Sequence, residues 1–389
     1  MGLLTGATRA KKRIRCLALV SDGFGGFGGI PQYNCDLLTA LAASGATELI
    51  RVLPRHGGPN TLLPAGITQS APRGRVRYAL AAIITALVQR VDVVFCGHLH
   101  FAPLAAVIAR MRGARLVIQA HGIEAWRAPQ WHCRAAIEAS DLVLCVSRHT
   151  RHALLAHSAI APERVLVLSN TVGGVFTPGD GVPFRQRNGL ENRRVLLTVG
   201  RLDSRERYKG HDRIIALLPE LVAAGHDVVY LIAGDGDDRA RLEQQAHAEG
   251  VDQRVRFLGN LSATELVGAY RAADLFVMPS TGEGFGISFL EAIACGTPAL
   301  GLEAGGAPDA LADGSLGTLV SEQELGVAIA RALAGPKPDG RVLADEVRAR
   351  FGSAVFQERV NALLDYLGDR PLDQHEMPRQ FGLQTASAG

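Results

Sequence analysis

No C-x-x-C pair occurs in the 389 residues, and the six cysteines, Cys16, Cys35, Cys96, Cys133, Cys145 and Cys295, are scattered. That spacing argues against a structural zinc site and a disulfide framework, and it fits a reducing cytoplasm. A membrane-spanning run is also lacking. The longest uncharged apolar stretch, "YALAAIITALVQ" from Tyr78 to Gln89, is bounded by Arg77 and Arg90, whereas a spanning helix needs about 20 residues. No apolar leader is expected either, because Lys11, Lys12, Arg13 and Arg15 run directly into "CLALV", which reads as a first buried strand.

Cofactor fingerprints are missing too. "SDGFGGFGGIPQYNCDLLTAL" holds five glycines between Gly23 and Gly29 but not the G-x-G-x-x-G spacing, and the next strand, "LIRVLPRHGG", offers arginines where a dinucleotide site needs an acid. These glycines can still bring backbone amides to a phosphate or sugar at a helix N-terminus. No D-x-D motif stands out at a strand end, so a bound metal is not expected, and no cofactor is called for. No two acids are placed to flank a sugar as a double-displacement glycosidase requires.

The length itself exceeds what one core usually fills, so two domains are expected. Net charge is only +3, yet residues 1–180 carry 19 Lys and Arg against 9 Asp and Glu, and residues 181–389 carry 22 against 29. A basic first half suits an anionic partner, or is a set of scattered solvated arginines; nothing points to nucleic acid. Eleven apolar runs alternate with helix-length segments: "CLALV", "LIRVL", "DVVFC", "RLVIQ", "DLVLCV" and "RVLVL", then "VLLTVG", "VVYLIAG", "VRFLG", "DLFVM" and "PALG". This pattern predicts two doubly wound α/β units with parallel sheets. The expected boundaries are a first domain over 1–176, a Gly-, Pro- and charge-rich linker over 177–194, a second domain over 195–350, a C-terminal helix over 351–369 that returns to the first domain, and a disordered tail over 370–389.

The second unit concentrates the chemistry. After "VLLTV" comes "GRLDSRERYKGHDRII", where Arg201 and Lys209 flank a loop before a helix and suit a diphosphate. Arg205 and Arg207, inside the same loop, are rival cations. "PSTGEGFGISFLEAIACGTPALG" then places Glu283 at a strand's end and Glu291 eight residues on. With a helix beginning near Phe285, eight residues would bring both acids to nearly one side, where carboxylates can accept hydrogen bonds from sugar hydroxyls. In the first half, "VIQAHGIEAW" sets His121 at a strand's end, with Glu124 as a substrate contact or a cap.

The ordered set "VGRL", "KG", "AGDG", "FLGNLS", "AADLFVMPS", "EGFGISFLEAIACGTPAL" and "GGAPDAL" resembles the retaining GT-B-fold glycosyltransferases of family four, the group 1 transferases. The resemblance implies a GT-B fold, two Rossmann-like domains facing across a cleft. It implies that Arg201 and Lys209 hold the donor diphosphate, that Glu283 contacts the transferred sugar and that Glu291 binds the ribose. Amides around Gly284, Phe285 and Gly286 would add phosphate contacts. Gly28 and Gly29 would lie close to donor and acceptor, and His121 near the reacting centre. The loop from Arg201 to Lys209 is longer than the family's commonest form.

The implied reaction moves a hexose, with retention and without metal, from GDP-mannose or a UDP-hexose to a glycan or polyprenyl-diphosphate-linked acceptor in bacterial-type exopolysaccharide or lipopolysaccharide synthesis. A nucleotide-sugar epimerase or hydrolase and a non-catalytic nucleotide-sugar-binding protein are the alternatives. The segment "RGRVRYALAAIITALVQRV" has two readings: a helix buried in a parallel α/β domain, or one lying on an anionic membrane surface with Arg73, Arg75 and Arg77 at the headgroups. The second would make the protein peripheral at the inner face of the plasma membrane.

Overall fold

The computed structural model describes residues 13–26, 28–56 and 62–367. Two parallel sheets organise the chain. The first takes strands β1 (Ile14–Asp22), β2 (Thr47–His56), β3 (Ile67–Gln69), β4 (Val93–Cys96), β5 (Arg115–Ala120), β6 (Leu142–Cys145) and β7 (Val165–Val167), in spatial order β3-β2-β1-β4-β5-β6-β7. The second takes β8 (Arg194–Val199), β9 (Val228–Ala233), β10 (Val255–Gly259), β11 (Leu275–Met278), β12 (Ala299–Leu302) and β13 (Thr318–Val320), in order β10-β9-β8-β11-β12-β13. Every strand pairing within the sheets is parallel. All eleven apolar runs of the sequence fall on strands. The two strands without such a run, β3 and β13, are three residues long and sit at sheet edges, half-buried for the most part.

Central strands are apolar throughout because helices cover both faces. In the first sheet, helix α1 (Gly29–Ala43) buries Leu37, Leu38 and Leu41, while helices α2 (Arg75–Val88) and α3 (Ala102–Arg112) pack Tyr78, Ala82, Ala86, Ala105 and Ile108 into the core. The second core gathers Leu196, Ile214, Leu218, Tyr230, Ile232, Val277 and Leu300. Cys16, Cys96 and Cys295 are packing groups in these interiors, and burial pushes each thiol up to about 12, which makes them poor nucleophiles.

By its contacts the described chain divides into one unit of residues up to Cys145, Ala153–Leu168 and Gln357 onward, and a second of Val146–His152 and Ser169–Phe356. Two of the expected boundaries need correction. Residues 177–194 are not a bare linker: they contain the helix Val182–Arg187, whose Phe184 is buried. Arg185 donates to the Ala272 carbonyl at 2.9 Å and to the Asp274 carboxylate at 2.7 Å, and Arg271 donates to the Thr177 carbonyl at 2.8 Å. The segment is polar in composition because Arg185 satisfies the last carbonyl of the helix Ala263–Ala272 and the Asp274 carboxylate, so it belongs to the second unit. The stretch before it belongs there too, since the Thr171 hydroxyl and the Val172 amide both donate to the Phe351 carbonyl. The C-terminal helix Ser353–Leu367 has Gln357 donating to the Ala40 carbonyl within the first unit. The tail expected over 370–389 lies outside the described residues.

Candidate active site

In the second sheet the strand order reverses between β8 and β11, and segments leaving the carboxyl ends of such a pair diverge, making room for a ligand. β8 runs into Gly200, Arg201 and a 3-10 turn at Arg207–Lys209; β11 runs into Pro279 and the loop carrying Glu283. The two segments are tied. The Tyr208 carbonyl accepts from the Thr281 amide at 3.0 Å, Arg213 donates to the Pro279 carbonyl at 2.9 Å, and a Cβ on Gly282 would lie 2.7 Å from the Tyr208 ring. At Gly210 φ is +78° and a Cβ would meet the Pro279 oxygen at 2.5 Å, which is why the "KG" dipeptide has no side chain at its second position.

Lys209 Nζ donates to Glu283 Oε1 at 2.8 Å and stands 3.9 Å from Glu206 Oε2; the other oxygen of Glu206 accepts from Arg201. Four charges therefore form one chain, Glu283, Lys209, Glu206, Arg201. The Lys209, Glu206 and Glu283 side chains keep only 13%, 15% and 14% of their exposure, whereas Arg201 keeps 72%. The structure thus brings together Arg201, Lys209 and Glu283, as the sequence reading grouped them, but through Glu206, which that reading missed. The signal that it carried is its place in "RLDSRERYK", where it is one of two acids amid four cations.

The rival arginines are occupied elsewhere. Arg205 holds both oxygens of Asp203, and Arg207 reaches Asp238 at 3.1 Å alongside Arg241. The Arg205 guanidinium keeps the Asp203 carboxyl below the usual carboxylate range, and Arg241 does the same for Asp238. A D-x-D sequence does follow a strand after all, Asp235-Gly236-Asp237 behind β9. Its Asp237 accepts from the Ser204 amide and hydroxyl at 2.7 and 2.8 Å, and Asp235 from the Gly236 amide, so both acids brace the loop.

The shared helix face expected for Glu283 and Glu291 is not formed. The helix begins at Ile287, after Gly286 at φ +95°, where a Cβ would lie 2.6 Å from the Phe289 ring. Glu283 stays in the preceding loop, its carbonyl accepting from the Gly306 amide at 2.8 Å. Glu291 is on the helix and accepts from the hydroxyl of Tyr270, a fully buried residue of the helix Ala263–Ala272, at 2.7 Å. Phe285 is buried against Phe351, and Gly284 is half-buried.

In the first sheet the order reverses between β1 and β4. The glycine loop leaves β1 and ends at Gly28, φ +106°, the residue before α1; Gly29 opens that helix. β4 runs into Gly97 and His98, and the neighbouring β5 into His121. His121 Nε2 is 2.9 Å from the Gly97 carbonyl, which can only accept, so Nε2 carries the proton and Nδ1 the lone pair. Its amide donates to Glu124 at 2.5 Å, and the Tyr33 ring meets the imidazole edge-on at 5.3 Å. Burial lowers the His121 pKa and brings that of His98 to about 4, with Glu124 opposing both shifts. At neutral pH both imidazoles are uncharged and suited to hydrogen bonding with hydroxyls. His98, stacked on His100 at 4.5 Å and with its ring 6.3 Å from that of His121, is a neighbour that the sequence reading passed over.

Acid should loosen the second unit. His211, 5% exposed at the start of the helix after Lys209, has its pKa lowered by burial and then by Lys209, from 6.5 to about 4. Its neutral form contributes stability that is fully present above pH 6.5 and is lost as pH falls towards 4, up to roughly 3 kcal/mol. Melting temperatures across that range should fall in the wild type and fall less in His211→Gln.

The comparisons with known proteins bear on both units. Residues 183–354 match the family described as glycosyl transferases group 1, and residues 27–173 match glycosyltransferase family 4. The chain is 35% identical over 268 residues to a GDP-mannose-dependent alpha-(1-6)-phosphatidylinositol monomannoside mannosyltransferase of Mycolicibacterium smegmatis, covering 64% of this chain and 66% of that one. It is 35% identical over 238 residues to a D-inositol 3-phosphate glycosyltransferase of Mycobacterium bovis, covering 58% of this chain and 48%, about half, of that one. Among solved structures, Anabaena HepE in complex with UDP and glucose superposes with a TM-score of 0.76 at 20% identity, over 91% of this chain and all of that one.

Proposed function

Because this chain belongs to the group 1 glycosyl transferases and has their GT-B fold, we propose that it is a retaining hexosyltransferase using GDP-mannose or a UDP-hexose. The acceptor is a hydroxyl of a glycan or polyprenyl-diphosphate-linked sugar, presented at the inner face of a membrane during surface polysaccharide synthesis. The observation that carries this reading is the placing of Lys209 between Glu283 and Glu206, with Arg201 beyond, at the switch point of the second sheet. The mycobacterial mannosyltransferase similarity favours GDP-mannose, and the Anabaena complex keeps UDP-hexose in view.

In this reading Arg201 and Lys209 take the donor diphosphate, and Arg201 leaves Glu206 to do so, which its exposure permits. Glu283 then accepts from sugar hydroxyls and Glu291 from the ribose. Gly28, Gly29 and the amides of Gly284, Phe285 and Gly286 add donors to phosphate. His121, neutral, accepts from a substrate hydroxyl. The bond from the sugar's anomeric carbon to the diphosphate breaks, and the acceptor oxygen bonds to that carbon on the same face. The acceptor proton passes to the departing phosphate, whose charge the two cations offset without a metal.

Proton NMR of the reaction with either donor and a lipid-linked acceptor tests this. Expected is a glycoside with the donor's anomeric configuration, formed in EDTA and only with acceptor present. Release of free sugar or an epimerised donor without acceptor would overturn it.

A further inference from the structure

Helix α2 is apolar on both sides, yet only one side is used. Tyr78, Ala82 and Ala86, four residues apart, face the first core, while the bulkier Val76, Leu80, Ile84, Leu87 and Val88 remain 72%, 53%, 56%, 56% and 78% exposed. An all-apolar helix of a globular domain is ordinarily buried, and single exposed apolar residues need no explanation. Five on one helix do, and the adjacent α3 extends them with Val107 and Met111, 53% and 48% exposed.

The charges around this face have one sign. Arg73, Arg75 and Arg77 at the start of α2, Arg90 just beyond its end, and Arg110 and Arg112 on α3 are all exposed, and neither helix contains an acid. No helix among the described residues is long and apolar enough to cross a membrane. A short helix with a bulky apolar side and an arginine margin lies in the plane of a bilayer interface, its apolar side chains among the acyl chains and its guanidinium groups at anionic headgroups.

We infer that the outer face of α2 and α3 docks the first unit onto an anionic lipid surface. Leu80, Ile84, Leu87 and Val88 supply insertion, and Arg73, Arg75 and Arg77 supply the preference for negative headgroups. The inference extends the reading of a membrane-presented acceptor but does not rest on glycosyl transfer.

The test is sedimentation of the full chain with vesicles of phosphatidylcholine alone or mixed with phosphatidylglycerol. Wild type should pellet with the mixed vesicles and release as salt rises, because headgroup attraction is screened. Leu80→Asp with Ile84→Asp, both at exposed positions, should weaken binding about tenfold or more with an unchanged melting temperature. Replacing Arg73, Arg75 and Arg77 by Ser should abolish the difference between the two vesicle types. Wild type remaining in the supernatant with both, or the Asp variant binding as wild type does, overturns the inference. So does light scattering that shows a dimer which the Asp variant dissociates, since the face would then join two copies of the chain. The assay reads no turnover, so its failure and that of the transferase reading are told apart.

Discussion

Lys209→Ala is expected to lower turnover by roughly a hundred- to a thousandfold, the usual effect of deleting one preorganised contact to developing charge. Two consequences of the geometry make the variant more informative than a bare rate. Lys209 pairs directly with Glu283, and its side chain is mostly buried, so removing it leaves an acid short of its counter-charge. Residues in contact do not add. Lys209→Ala with Glu283→Ala should therefore lose much less than the product of the two single losses, and its melting temperature should recover part of what Lys209→Ala gives up. Steady-state kinetics and melting curves of the three variants check this; fully multiplicative losses would mean that the two side chains act independently.

The second large effect is on stability. Gly234→Ala should destabilise the protein by at least about 3 kcal/mol, since it forces both a disfavoured backbone region and a backbone clash. Gly234 follows β9 directly, at φ +136°, and a Cβ there would lie 1.9 Å from the Gly200 oxygen. No rotamer relieves that overlap. Relief requires moving the end of β8, where the Gly200 amide bonds the Ala233 carbonyl at 2.9 Å, and with it Arg201. In a unit of this size the melting temperature should drop by roughly 6–12 °C. Gly225→Ala is the control: φ is +89° but nothing lies within 4 Å of the added carbon, so only the conformational cost of about 1–2 kcal/mol applies. Equal effects of the two substitutions would show that the clash does not matter. The first glycine of "AGDG" is thus accounted for by packing at the end of the strand, with no appeal to phosphate.

What could be read from the sequence was whatever leaves a run or a spacing. Strands of a parallel sheet are continuous apolar runs where they are buried, so eleven stood out, the edge strands β7 and β10 among them, while β3 and β13, three residues long and half-buried for the most part, did not. Arg201, Lys209 and Glu283 were legible because each follows a strand end at one topological switch point. Glu206 was not, because its role depends on the turn at Arg207–Lys209 that folds it back between two cations. The common face proposed for Glu283 and Glu291 assumed a helix from Phe285, but Gly286 delays the helix to Ile287. Residues 177–194 looked like a linker because Arg185 and its neighbours are polar, and composition cannot show which carbonyls and acids they satisfy. Helix α2 had two readings for a related reason: the pattern is apolar all round, and only the packed structure shows that Ala82 and Ala86 face inward while Leu80 and Ile84 do not.

The central claim is that the second unit binds a nucleoside-diphosphate sugar through Arg201, Lys209 and Glu283. Isothermal titration of UDP, GDP, ADP and TDP, and then of their sugar conjugates, into the wild type and Lys209→Ala in EDTA tests it most directly. The account predicts saturable binding of one nucleotide family to the wild type, tenfold or more weaker in the variant, as loss of a contact worth about 1.4 kcal/mol or more requires. Binding equally tight in both proteins, or none to either, would contradict it.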